Sequence, residues 1–141
     1  MEHLAIMKKS WGLTRKILGG QKKIESRWYL SKRKPWDGIK IGETIYFKDS
    51  GDPVSLRAEV AKVLQFEIQG LNDATKIVKE YGKQICLINR NPRTWGKLPK
   101  YCILIFLKNP ASVKPFKINK NGFGMMAAWI SVKNISEIKL M

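Results

Sequence analysis

The sequence predicts an α+β domain built around a small, partly closed β-barrel of five to seven strands with two main helices. Three observations predict it. Several short β-rich runs alternate in polarity or are continuously apolar, and two other stretches carry apolar residues at helical spacing. The 141 residues, 44% of them hydrophobic, suit one domain spanning 1–141, which buries roughly two-thirds of its extended surface without a metal or disulfide staple. No repeat, linker or low-complexity tract interrupts the pattern.

His3, Leu4, Ala5, Ile6 and Met7 read as a first strand. Ser10 stands where a cap belongs, Trp11, Thr14, Ile17 and Leu18 follow at helical spacing, and Gly19 and Gly20 supply the stop. Residues 23–29 alternate, with Ile24, Ser26 and Trp28 on one face and Glu25, Arg27 and Tyr29 on the other. Residues 30–42 form a basic loop, 43–48 a strand, and 49–53 a turn. The strand predicted over 55–66 keeps period at Leu56, Ala58 and Val60 and loses it at Val63 and Leu64, which calls for a bulge. Asn72 or Asp73 caps the clearest helix, whose core stripe is Ala74, Ile77, Val78 and Tyr81 and whose stop is Gly82. Residues 89–99 form a second basic loop. The apolar run 101–107 predicts a central strand, 116–124 a loop, and 128–132 a last strand.

Charge is the outlying property. Lys and Arg number 27 against 11 Asp and Glu, for a formal +16. Residues 8–34 hold ten basic residues and one acid, Glu25; residues 83–120 hold nine basic residues and none. The stretch 37–80 between them is slightly acidic, with six basic and eight acidic residues. Two basic blocks around an acidic middle point to one cationic face and a polyanionic partner, nucleic acid ahead of an anionic membrane surface. Lys outnumbers Arg 21 to 6, which keeps open a merely Lys-rich soluble protein. Neither helix pairs a basic face with a long apolar one, so the membrane ranks last. No apolar run approaches the roughly twenty residues of a spanning helix, and the opening residues do not read as a secretory signal.

Cys86 and Cys102 have no metal-ligand spacing and read as free thiols of a reducing, cytoplasmic compartment. His3 is the only histidine and sits in a predicted strand, so a zinc site and a His-dependent triad are discounted. No metal and no cofactor is implied.

The segment Gly20, Gln21, Lys22, Lys23, Ile24, Glu25, Ser26, Arg27 matches the Gly-x-Lys-x-x-Glu-x-Arg signature of the ASCH domain, in the PUA-like superfamily. Its placement, from a helix end into a strand, matches as well. Gly42 to Lys48, and Ala58 to Val60, resemble the strands that follow the motif in that family, so the likeness spans roughly residues 3–107. The resemblance implies a barrel whose cleft, lined by the motif side chains, suits RNA. Members include RNA-binding modules, readers of modified bases, and hydrolases that cut RNA or remove the acetyl group of N4-acetylcytidine. The catalytic lysine of the acetylcytidine hydrolases matches Lys22, whereas their catalytic threonine falls at Glu25, a departure that puts deacetylation in doubt.

Glu25 and Arg27 lie two apart on a strand and can pair. Two readings stay open: Glu25 accepts a hydrogen bond from a base or moves a proton while Lys22 and Arg27 hold phosphate, or the three form a structural ion pair. Lys22 follows the glycine stop and is expected to project freely, as a phosphate contact or a nucleophile. Lys8 and Lys9 stand at the first helix start, which is either an anion site or an ordinary cap. Lys32, Arg33 and Lys34 beside Trp36, and Arg90, Arg93 and Lys97 beside Trp95, interleave cations with rings as single-strand binders do. Trp11, Trp28 and Trp129 read as core or cleft wall, and Lys48 as a residue of the cleft rim. The expected activity is RNA binding, with a metal-independent hydrolase, acting on RNA or a modified nucleoside, as the alternative and a charge-driven ribonucleoprotein component as the third reading. The oligomeric state is open.

Overall fold

The computed structural model describes residues 1–124 and 126–140. Six strands form one curled sheet: β1 (Glu2–Met7), β2 (Ile24–Tyr29), β3 (Thr44–Asp49), β4 (Val54–Glu67), β5 (Tyr101–Phe116) and β6 (Trp129–Val132). Two helices join them, α1 (Leu13–Leu18) and α2 (Leu71–Ile85). The order across the sheet is β2-β5-β4-β3-β1-β6, so β2 and β6 are its edges. All neighbours are antiparallel except β1 and β3, which pair from Glu2↔Thr44 to Met7↔Asp49. This is the predicted α+β half-barrel.

The curled inner face holds Ala5, Met7, Ile45, Phe47, Leu56, Ala58, Val60, Ile103 and Ile105, with Leu13 and Ile17 of α1 closing it. The opposite face of β5 gives Cys102 and Leu104 to α2, which buries Ala74, Ile77 and Ile85 against them. Both faces of β5 are covered there, which is why residues 101–107 read as continuously apolar. A third cluster joins Leu4, Val54, Ile130 and Val132 to the C-terminal turn at Ile135–Ile138.

Three local expectations are corrected and one is met. Ser10 caps nothing: Lys9–Trp11 is a 3₁₀ turn, and Gly12 in the left-handed region (φ 63°) separates it from α1. Gly82 does not end α2, which continues to Ile85 and is closed by Cys86 at φ 61°. Glycine only weakens a helix, and at Gly82 a Cβ would stand 3.3 Å from Val78 Cγ1, so close packing has taken the place of a stop. β5 does not finish at Leu107. It continues to Phe116 against β4 alone, through register shifts, so Pro110 and Pro115 lie where β2 no longer pairs. The bulge expected in β4 is present between Val60 and Lys62, with another between Arg57 and Glu59.

His3 is wholly buried and links β1 to β6 and to Glu43, the residue before β3. Its ring nitrogens bond Ser131 Oγ at 2.8 Å and Glu43 Oε1 at 2.9 Å, and the Trp129 indole donates to Nδ1 at 3.3 Å. Two donors facing Nδ1 leave it the acceptor, so Nε2 carries the proton toward Glu43. Burial pulls the His3 pKa below its usual 6.5, an effect that Glu43 only partly offsets. The unfolded chain therefore takes up a proton that the folded chain refuses. Stability is expected to be flat above pH 6.5 and to fall as the pH drops below it, a fall His3→Gln removes. A second fall, below the ordinary 4.5 of a carboxyl, comes from Glu25 and Glu43, both held below that value, and its Glu25 part, which Lys22 and Arg27 cause, persists in the variant. Thermal denaturation across pH 4–8 measures both.

Candidate functional site

The motif forms the floor of a pocket. After α1, the amides of Gln21 and Lys22 both bond the Lys16 carbonyl at 3.0 Å, which turns Lys22 inward. Its Nζ donates to the carbonyls of Ile24 at 2.9 Å and Ile85 at 2.6 Å and lies 3.3 Å from Glu25 Oε1. Ile85 is the last residue of α2, so the ammonium satisfies a helix-end carbonyl and complements its partial negative charge. The Lys22 side chain is 1% exposed. The expectation that Lys22 projects freely is corrected: the turn directs it under α2, where three acceptors take its three protons.

Glu25 and Arg27 share a face of β2, as the alternation predicts. Glu25 Oε1 accepts from the Ser26 amide at 3.0 Å and Oε2 from Arg27 Nη2 at 3.1 Å. Arg27 then reaches across the gap between the sheet edges, donating to the carbonyls of Ala128 at 3.3 Å and Ile6 at 3.5 Å. Its guanidinium lies 5.2 Å from the centre of the Trp129 ring. Burial alone would push the Glu25 carboxyl up, but the Lys22 and Arg27 charges reverse this and hold it below the ordinary range. Glu25 is thus an ionised acceptor, only 4% exposed, fixed from both sides.

Above this floor opens a pocket of about 720 Å³, bounded by β2, the end of β1, the turn before α1 and the segment after α2. Trp28 and Trp95 meet edge to face at 5.1 Å on its wall. Their indole N–H groups are anchored, Trp28 to Ser26 Oγ at 2.9 Å and Trp95 to the Asn89 carbonyl at 3.1 Å. Trp11, Leu30 and Ile88 also line the pocket and are 46%, 49% and 65% exposed. Lys8 comes from the first basic block and Lys97 from the second, and both line the same pocket. The two blocks therefore meet here.

Other sequence candidates lie outside the lining. Lys9 pairs with Asp52 at 3.2 Å. Lys32 stands 6.0 Å from the Trp36 ring and 5.8 Å from Tyr101, and the Lys34 carbonyl accepts from Tyr29 at 3.0 Å. Arg33 is exposed. Trp36 is half-buried against the main core and edge-on to Tyr101 at 5.0 Å, not an open stacking face. Lys48 is half-buried, and burial and the nearby Lys120 charge lower its pKa. Arg90 bonds the Leu87 carbonyl at 3.3 Å, and Arg93 is exposed on the 3₁₀ turn Pro92–Thr94. Sequence reasoning did not single out Leu30 and Ile88 and placed Trp11 on a helix face. The signal for Trp11 was Gly12, which breaks the helical period just after it. Among the described residues no group of three or more His, Cys, Asp or Glu is placed to hold a metal ion.

Comparison with solved structures assigns the fold. A tyrosine-to-phenylalanine variant of the ASCH protein from Zymomonas mobilis superposes with a TM-score of 0.70 at 14% identity, covering 96% of this chain and 93% of that one. The chain has the ASCH-domain fold. The unsubstituted Zymomonas protein gives 0.67 at 13% identity over 94% and 87%, and a serine-to-alanine variant gives 0.70 at 14%. No protein-family model and no curated protein matches the sequence. At this identity the likeness is one of ASCH architecture alone.

Glu25→Gln leaves the buried Lys22 and the part-buried Arg27 without their carboxylate and is expected to cost about 3–5 kcal/mol in urea denaturation. Lys22→Met is expected to cost less, because Arg27 still pairs with Glu25.

Proposed function

We propose that this chain, as one ASCH/PUA-like domain over residues 1–141, binds RNA and seats one unstacked base in the pocket beside the Trp28–Trp95 pair. The observation that carries the reading is convergence: cations of both basic blocks, two anchored indoles and a fixed carboxylate line one cavity of nucleotide size. Lys8 and Lys97 meet the phosphates. Glu25 accepts from a donor on the base edge, and Lys22 and Arg27 position it instead of touching phosphate. The engagement and burial of Lys22 support this role over that of a nucleophile, which must reach a substrate. The +16 charge draws in any polyanion, and the pocket selects single strands because only an unpaired base can enter it.

Anisotropy titration of a labelled single-stranded RNA, from about 50 to 200 mM salt, tests the reading. A steep loss of affinity is expected. Replacing Lys8 and Lys97 by Ala together lowers the slope of log K against log salt by about 1.4 and weakens all sequences alike. Trp95→Ala costs about 5- to 100-fold with little change in slope. Affinity independent of salt overturns the proposal.

A further inference from the structure

We infer that Trp11 is a second stacking platform, so that the site takes two successive nucleotides of an unpaired strand. The inference rests on the RNA-binding reading above and extends it by one subsite.

Trp11 belongs to none of the three buried clusters, and at 46% exposure its ring is not spent on folding. Its backbone is nonetheless fixed. The Trp11 amide bonds the Lys8 carbonyl at 3.1 Å, and the Gly12 amide bonds the Lys9 carbonyl at 3.1 Å, with Gly12 left-handed. An exposed indole on a closed turn offers a stacking surface whose backbone is already ordered. Because Trp11 lines the pocket, a base on its ring is adjacent to a base within.

Lys8 supplies the link. It lines the same pocket, and its Nζ lies 5.2 Å from the centre of the Trp11 ring. The ammonium therefore stands beside both seats, where the phosphate joining two nucleotides has to pass. In the free protein the ring face partly satisfies that charge; a bound phosphate takes the ammonium over and leaves the ring to the second base. An extended peptide can also cover an apolar rim, but the charge of the surrounding blocks favours a polyanion.

Calorimetric titration with the four ribonucleoside 5′-monophosphates and the sixteen dinucleoside monophosphates tests the inference. A dinucleoside monophosphate carries no more charge than a mononucleotide, so a gain in affinity reports the second base and not electrostatics. The best dinucleotide is expected to bind about 5- to 100-fold tighter than the best mononucleotide. Trp11→Ala should reduce that gain to within about twofold, leave mononucleotide affinity unchanged and preserve the circular dichroism spectrum, while Trp11→Phe keeps most of it. Equal binding of mono- and dinucleotides by the native chain, or a gain that survives Trp11→Ala, overturns the second subsite and leaves the first intact. If no mononucleotide, dinucleotide or single-stranded ten-mer binds, the RNA reading itself fails.

Discussion

A carboxylate held between two cations, each tied to backbone carbonyls of other elements, braces this molecule. Glu25 is the common partner. Through Lys22 it is joined to the end of α2, and through Arg27 to β1 and to the residue before β6. The edges β2 and β6 do not pair, so these bonds span the open side of the half-barrel. Ions taken out of water are costly, and three in one place persist only when their charges are paired and hydrogen-bonded. Among the described residues no buried side-chain nitrogen or oxygen lacks one. The brace and the pocket floor are the same atoms, so the fold cannot loosen there without changing what the pocket presents.

In the proposed RNA complex, two forces with different reach divide the recognition. Coulomb attraction from a +16 chain acts out to about a Debye length, roughly 8 Å at physiological salt, and does not distinguish one sequence from another. Stacking on Trp28 and Trp95 acts only at contact and requires the base to leave its own stack. Most of the basic candidates lie outside the lining and belong to the first force; Lys8 and Lys97 belong to both. The cation–ring contact at Trp11 shows the same economy on the free surface, where a ring face takes part of the charge that an anion would otherwise take.

What the sequence made legible follows from period. The faces of β2, the stripe of α2, the bulge in β4 and the double-sided burial of β5 are local consequences of spacing, and each can be read one segment at a time. Glu25 and Arg27 were legible as a pair for that reason. The fate of Lys22 was not, because its acceptor at Ile85 is 63 residues away and nothing in the motif names it. Gly82 misled because a glycine stop and a glycine at a close contact look the same in one sequence. The order of the strands, with β1 parallel to β3 and β2 sent to the far edge, rests on long-range pairing that no window contains.

Geometry also bears on the choice between holding RNA and cutting or deacylating it. A nucleophile or acid must touch the reacting atom, and Lys22 is sealed beneath the helix end with its protons committed. Freeing its nitrogen would leave the Ile85 carbonyl unsatisfied and Glu25 with one cation, so the chemistry would have to begin by breaking the brace. Glu25 stands where the acetylcytidine hydrolases that the motif resembles carry a threonine. Here it is engaged by Lys22, Arg27 and the Ser26 amide, which leaves it suited to accept one more hydrogen bond and poorly suited to take and return a proton.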